Sequence, residues 1–189
     1  MIQALLLAAV LGAAAIAGAQ QFETTDDRAL CEEDGGTWFG DLGCETEAPT
    51  IDRIVVDKSE RTLWAYSGDR RVRTFQVALG RDPVGPKLRQ GDGRTPEGTY
   101  AITAHNPASA FHLSLRIGYP TPAQRAAARA GGYRAGGNIM IHGLPNGQGG
   151  VGSAHRETDW TEGCIALTND EIAWLYAHTP VGAVVEIGA

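Results

Sequence analysis

IDRIVVDKSERTLWAYSGDRRVRTFQVALG, residues 51–80, is the stretch that decides the fold. It holds three β-prone runs: IDRIVV at 51–56, TLWAY at 62–66 and VRTFQVALG at 72–80, with SGD at 67–69 as the clearest turn between them. β-Branched and aromatic residues in partial alternation, cut by short polar turns, favour hairpins, because alternate side chains then reach opposite faces of a sheet. An antiparallel sheet therefore starts here. Further along, TYAIT at 99–103, FHLSLRIGY at 111–119, NIMIHG at 138–143 and VGAVVEI at 181–187 add strands. Two short helices break the series. PAQRAAARAG at 122–131 has Pro122 near its start and a glycine pair stopping it, and NDEIAWLYAHT at 169–179 is capped by Asn169 or Asp170. The expected class is mainly β, a domain with two short helices. Residues 81–98 and 144–163 are polar, glycine-rich loops. Loops of ~20 residues without secondary structure are uncommon unless they carry function.

Residues 1–19 carry no charged side chain and hold an apolar run from Ala4 to Ile16, followed by small residues at Ala17 and Ala19. This reads as a secretory signal peptide, leaving about 170 residues once it is removed. The run is short of the ~20 residues a membrane span needs, and no later stretch is long enough. The expected organisation is a signal peptide at 1–19, an N-terminal segment at 20–50 and the main domain at 51–189, exported to the periplasm or cell envelope. The net charge of −6 argues against general binding to nucleic acid or anionic lipid.

Export makes disulfides possible. Of three cysteines, Cys31 and Cys44 bound the short tract CEEDGGTWFGDLGC and are expected to pair, making a small disulfide-closed appendage with Trp38 as its core. So short a loop stabilises by ~2–3 kcal/mol, mostly through the unfolded state. Without CxxC spacing or nearby histidines, no metal site is expected.

That leaves Cys164, in TEGCIAL at 161–167. An ordinary thiol is only a few per cent thiolate at neutral pH, so a nucleophilic cysteine needs a base. Gly163 permits close backbone approach, and the amides of Gly163 and Cys164 form a candidate oxyanion hole. Of five histidines, His142 ends an apolar strand, where a rigid backbone can hold an imidazole near sulfur, and the Gly143 carbonyl can orient it. His178 ends a helix, where the helix terminus accounts for it. The plainer alternatives are a core cysteine beside Ile165 and Leu167 and a satisfied core His142.

IMIHG at 139–143 followed by TEGCIAL at 161–167 resembles the YkuD-type L,D-transpeptidase catalytic domain, whose motif is a histidine-glycine or histidine-serine pair, a spacer, then Ser/Thr-His-Gly-Cys. The resemblance covers roughly residues 51–188, including GDGRTPEGTY at 91–100. It implies a β-sandwich-like domain in which Cys164 is the nucleophile, His142 the base and Gly143 the carbonyl that orients it. Thr161 and Gly163 match the other motif positions. The implied chemistry is acyl transfer through a thioester, on peptidoglycan stem peptides, without a cofactor. Glu162 stands where the family has histidine, Ala166 where arginine or asparagine is common, and the longer spacer contains HRETDW at 155–160. DWTEGCIA at 159–166 looks like a variant branch, some of whose members cleave peptidoglycan bonds.

Stem peptides carry free carboxylates and an amine. Arg156 and Lys87 are candidates for the carboxylates and Asp159 for the amine. Trp160, Thr161, His155 and the Tyr119 hydroxyl are further candidates for substrate contact. Arg94 and Glu97 are expected to pair within their loop. Two rival readings stand beside transfer. One is the same site using water, as a carboxypeptidase, endopeptidase or hydrolase that detaches a peptidoglycan-linked protein. The other is a non-catalytic wall-binding module.

Overall fold

The computed structural model of the chain describes residues 25–33, 36–45 and 48–189. The signal peptide read at residues 1–19 lies outside them. The opening hairpins form as the alternation demands. β3 (Arg53–Asp57), β4 (Thr62–Ser67) and β5 (Arg70–Gln76) pair antiparallel, after the short β1 (Thr37–Trp38) and β2 (Cys44–Glu45) of the N-terminal segment. Ile54, Val56, Leu63 and Ala65 are fully buried between them. β6 (Gly98–Ser109), β7 (His112–Ile117), β8 (Met140–His142), β9 (Ile165–Ala166) and β10 (Val184–Gly188) complete an eight-stranded sheet in the order β5-β4-β3-β10-β6-β7-β8-β9. The last strand lies in mid-sheet, parallel to β3 and antiparallel to β6.

This sheet curls into a half-barrel whose edges meet. Past β5 the chain crosses to β9, where Ala78 and Ala166 exchange backbone hydrogen bonds of 3.1 and 2.8 Å. Thr161 N–H donates to the Leu79 carbonyl and Arg81 N–H to the Thr161 carbonyl, both at 3.0 Å. Pairing one edge against the other satisfies backbone groups that an open sheet leaves exposed. It also fixes the tract just before Cys164 against the first half of the sheet. The shared core takes in Leu79, Leu115, Ile141, Ile165 and Leu167, with Trp174 from the helix α3 (Asn169–His178).

Several elements differ from the sequence reading. β6 runs well past residue 103, because register shifts between Asn106 and Ser109 accommodate Pro107. The α3 cap is Thr168, one residue before the expected pair, in a reciprocal box with Glu171. The helix α2 (Pro122–Ala130) has an equivalent box between Thr121 and Gln124. The expected loop at 144–163 contains 3-10 turns over Gly149–Glu157, broken at Gly152.

In the appendage, Cys31 on α1 (Thr25–Glu33) is joined to Cys44 by a disulfide. Gly36 is needed there, since a Cβ would lie 2.7 Å from the Cys44 sulfur. Phe39, not Trp38, is the buried anchor, packing 5.2 Å from the His178 ring. The Trp174 indole N–H donates to Glu45, tying the appendage to α3. Among the described residues no helix is long and apolar enough to cross a membrane.

Candidate active site

β8 and β9 run parallel, with Ile141 opposite Ile165 and His142 opposite Ala166. Cys164 immediately precedes β9. Side chains alternate along a strand, so Cys164 shares a face with Ala166 and hence with His142. The two are diagonal neighbours on one face, with backbones roughly 7–8 Å apart.

His142 is buried, with the Phe111 ring 4.5 Å away and the Trp160 ring edge-on at 5.8 Å. Its Nδ1 lies 2.6 Å from the Gly143 carbonyl oxygen. A carbonyl only accepts, so Nδ1 carries the proton and Nε2 keeps the lone pair a base requires. Burial lowers the His142 pKa, and the bond to Gly143 opposes this in part. The Cys164 thiol donates to the Asn138 carbonyl at 3.5 Å. Burial raises its pKa, while a backbone hydrogen bond at Met140 and the Lys87 cation pull it down. An imidazole pushed down and a thiol pushed up rest as a neutral pair, so the proton moves during attack.

The loop before Cys164 is held by its own atoms. The buried Thr161 hydroxyl donates to the Cys164 carbonyl at 2.7 Å and accepts from the Gly163 N–H at 3.1 Å. The Gly163 amide, expected to face an oxyanion, is therefore occupied by a hydroxyl two residues back. Thr161, expected to contact substrate, is a loop fastener. Gly163 has φ +126°, and a Cβ there would lie 2.4 Å from the Arg94 carbonyl oxygen. Only glycine lets the 81–98 tract pack on the nucleophile loop.

The charged residues expected to meet substrate are paired inside the chain. Arg156 binds Glu171, the α3 capping-box residue. Lys87, its side chain only 3% exposed, donates to Asp92 at 2.7 Å. Asp159 accepts from Arg61 at 2.9 Å and from the Leu79 amide at 2.8 Å, so it bolts the loop to the sheet closure. Arg94 pairs with Asp82 and Glu97 with Lys58, instead of with each other. Tyr119 is buried, its hydroxyl donating to the Ala135 carbonyl at 3.0 Å, which makes it a packing residue. Glu162 is exposed and ion-paired with Arg81. Phe111 and Asn138 had no local signal in the sequence, since they reach the site only through the pairing of β7 with β8 and the chain just before β8.

His155, expected as a loop residue that contacts substrate, is buried beside Trp160. Together with Leu144, Pro145 and Val151 they line a cavity of about 250 Å³. Neither His155 nitrogen nor the Trp160 indole nitrogen has a partner among the described residues. Burial first, then the neighbouring Arg156, lowers the His155 pKa to about 4, with Glu171 opposing. The folded state thus binds its proton less readily than the unfolded chain. Stability is full above the unfolded value near 6.5 and is lost as pH falls towards 4. Urea unfolding at pH 7 and 4.5 should show a loss to which His155 contributes roughly 1–2 kcal/mol. The His155→Gln variant should lose that much less over the interval, and an unchanged slope would refute the assignment.

Lys87 makes a second prediction. Replacing it with methionine removes the cation that lowers the thiol pKa and leaves Asp92 uncompensated. Iodoacetamide alkylation of Cys164 at pH 7.5 should slow by roughly three-fold or more. Equal or faster alkylation would show that the Lys87 charge does not act on the thiol.

Residues 51–187 match the family model YkuD, L,D-transpeptidase catalytic domain. YafK of Escherichia coli (strain K12) is 33% identical over 139 residues, which cover 70% of this chain and 48% of YafK. The chain thus spans about half the length of the curated relatives it matches. Among solved structures, the helical cell shape determining protein Pgp2 from Campylobacter jejuni is similar at 22% identity and a TM-score of 0.54, over 79% of this chain and 53% of that one. Bd1075 of Bdellovibrio bacteriovorus is similar at 22% identity and a TM-score of 0.52, over 76% and 50% respectively. Both share the fold.

Proposed function

Because the chain belongs to the YkuD family of L,D-transpeptidase catalytic domains, we propose that it is an exported cysteine acyltransferase acting on peptidoglycan stem peptides. His142 Nε2 takes the Cys164 proton as sulfur attacks the carbonyl carbon of the bond following an L-centre. The Cys164 amide is the candidate donor to the oxyanion, the Gly163 amide being held by Thr161. As the C–N bond breaks, the imidazolium returns its proton to the departing amine and a thioester remains. A second amine then attacks the thioester, His142 accepts its proton, and the thiolate leaves and is reprotonated.

The observation that carries this reading is the β8–β9 register, which puts Cys164 and a His142 held in the base-competent tautomer on one face. A second reading is release by water through the same site. Glu162, ion-paired with Arg81, stands where the family's motif has histidine. Purified protein incubated with muropeptides and analysed by mass spectrometry separates the two. Crosslinked or exchanged products support transfer, and shortened or detached products support hydrolysis through the same thioester. Intact substrate together with no carbapenem adduct on Cys164 would favour a wall-binding module over either.

A further inference from the structure

With Arg156 and Lys87 both paired internally, the stem peptide's carboxylates need another cation. A cleft of about 680 Å³ reaches the nucleophile through Asn138, which lines it and whose carbonyl accepts from the Cys164 thiol. Three arginines line it from three parts of the fold: Arg116 on β7, Arg125 on α2 and Arg134 on the segment leading to β8. No acidic residue lines it. Arg116 and Arg134 have no ion-pair partner among the described residues, and Arg125 donates only to the Pro120 carbonyl, at 3.1 Å. By contrast Arg61, Arg81, Arg94 and Arg156 are each matched to a carboxylate.

The chain carries 22 acidic residues and a net charge of −6. An acid-free wall holding three guanidinium groups without a carboxylate partner among the described residues, one residue removed from the reactive sulfur through Asn138, is therefore a local reversal of its electrostatics. Guanidinium binds carboxylate in a two-point fork, and three of them can take two carboxylates of one peptide. The Arg134 segment is backed by the bond from the Gln90 N–H to the Arg134 carbonyl at 2.8 Å and by the Tyr119 hydroxyl on Ala135. We propose that this cleft is the carboxylate-recognising subsite for the stem peptide, with Arg116, Arg125 and Arg134 as its specificity residues; this rests on the function proposed above.

The test uses two synthetic stem tetrapeptides that differ only in the diamino acid's second carboxyl group, free in one and a carboxamide in the other. Turnover is followed by mass spectrometry. Equilibrium binding is measured with the Cys164→Ala chain, which needs no chemistry. The free-carboxylate peptide is expected to be preferred at least about ten-fold in both kcat/KM and Kd, less so at high salt. Arg116→Gln and Arg134→Gln should each erase most of that preference by weakening only the carboxylate peptide. Arg129→Gln, on α2 outside the cleft, should leave it intact. Equal losses on both peptides, or none, would overturn the subsite while leaving the enzymatic reading in place. If the parent chain turns over neither peptide, binding still decides. Arginine-dependent, carboxylate-selective affinity upholds the cleft and overturns the enzymatic reading, whereas arginine-independent affinity, or none, overturns the cleft.

Discussion

Cys164→Ala is expected to abolish turnover of stem peptides, a loss of at least about 10⁴-fold, because no other group at the site can form the thioester. The folded state should hardly notice. Cys164 is half-buried, and its thiol's 3.5 Å contact to the Asn138 carbonyl is long and weak. The loop is fixed instead by Thr161, which binds the Cys164 carbonyl and the Gly163 amide, backbone groups that the substitution leaves alone. Thermal unfolding should therefore stay within about 2 °C of the parent chain. Turnover retained in a well-folded Cys164→Ala chain would end the thioester mechanism. A large drop in melting temperature would instead make Cys164 a core residue.

His142→Gln should cost about 10²- to 10⁴-fold in kcat, the usual range for loss of a positioned base. The pH profile distinguishes a base from a packing residue. In the parent chain the acid limb follows His142, held below the usual imidazole range by burial, so activity persists below pH 6.5. Without that base, attack waits for spontaneous ionisation of a thiol whose pKa burial has raised. The variant's rate should then climb steadily with pH, beyond the point where the parent levels off. Alkylation of Cys164 should continue in the variant, which separates lost catalysis from a blocked sulfur. An acid limb at the parent's position would exclude His142 as the base.

Carbapenem acylation, the muropeptide products and the two peptides for the arginine cleft probe successive layers of one site. The first reads the nucleophile, the second the acceptor and the third the recognition of the donor.

The sequence by itself determined the strands around residues 51–80, both helices of the main domain and the Cys31–Cys44 disulfide. These depend on neighbours within a few positions: alternation, caps, turns and a short loop to close. The tertiary structure decided which charges around the site are paired and which are not. Arg61 meets Asp159 across 98 residues of chain, and Lys58 meets Glu97 across 39. No periodicity encodes such distances, and only the curling of the sheet brings those residues together. For the same reason Arg156, Lys87 and Asp159 are ion-paired within the chain while Arg116, Arg125 and Arg134 line one cleft. The formal charge of −6 is a sum over the chain, whereas a substrate meets the local field, and that field is set by which acids the fold leaves out of the cleft.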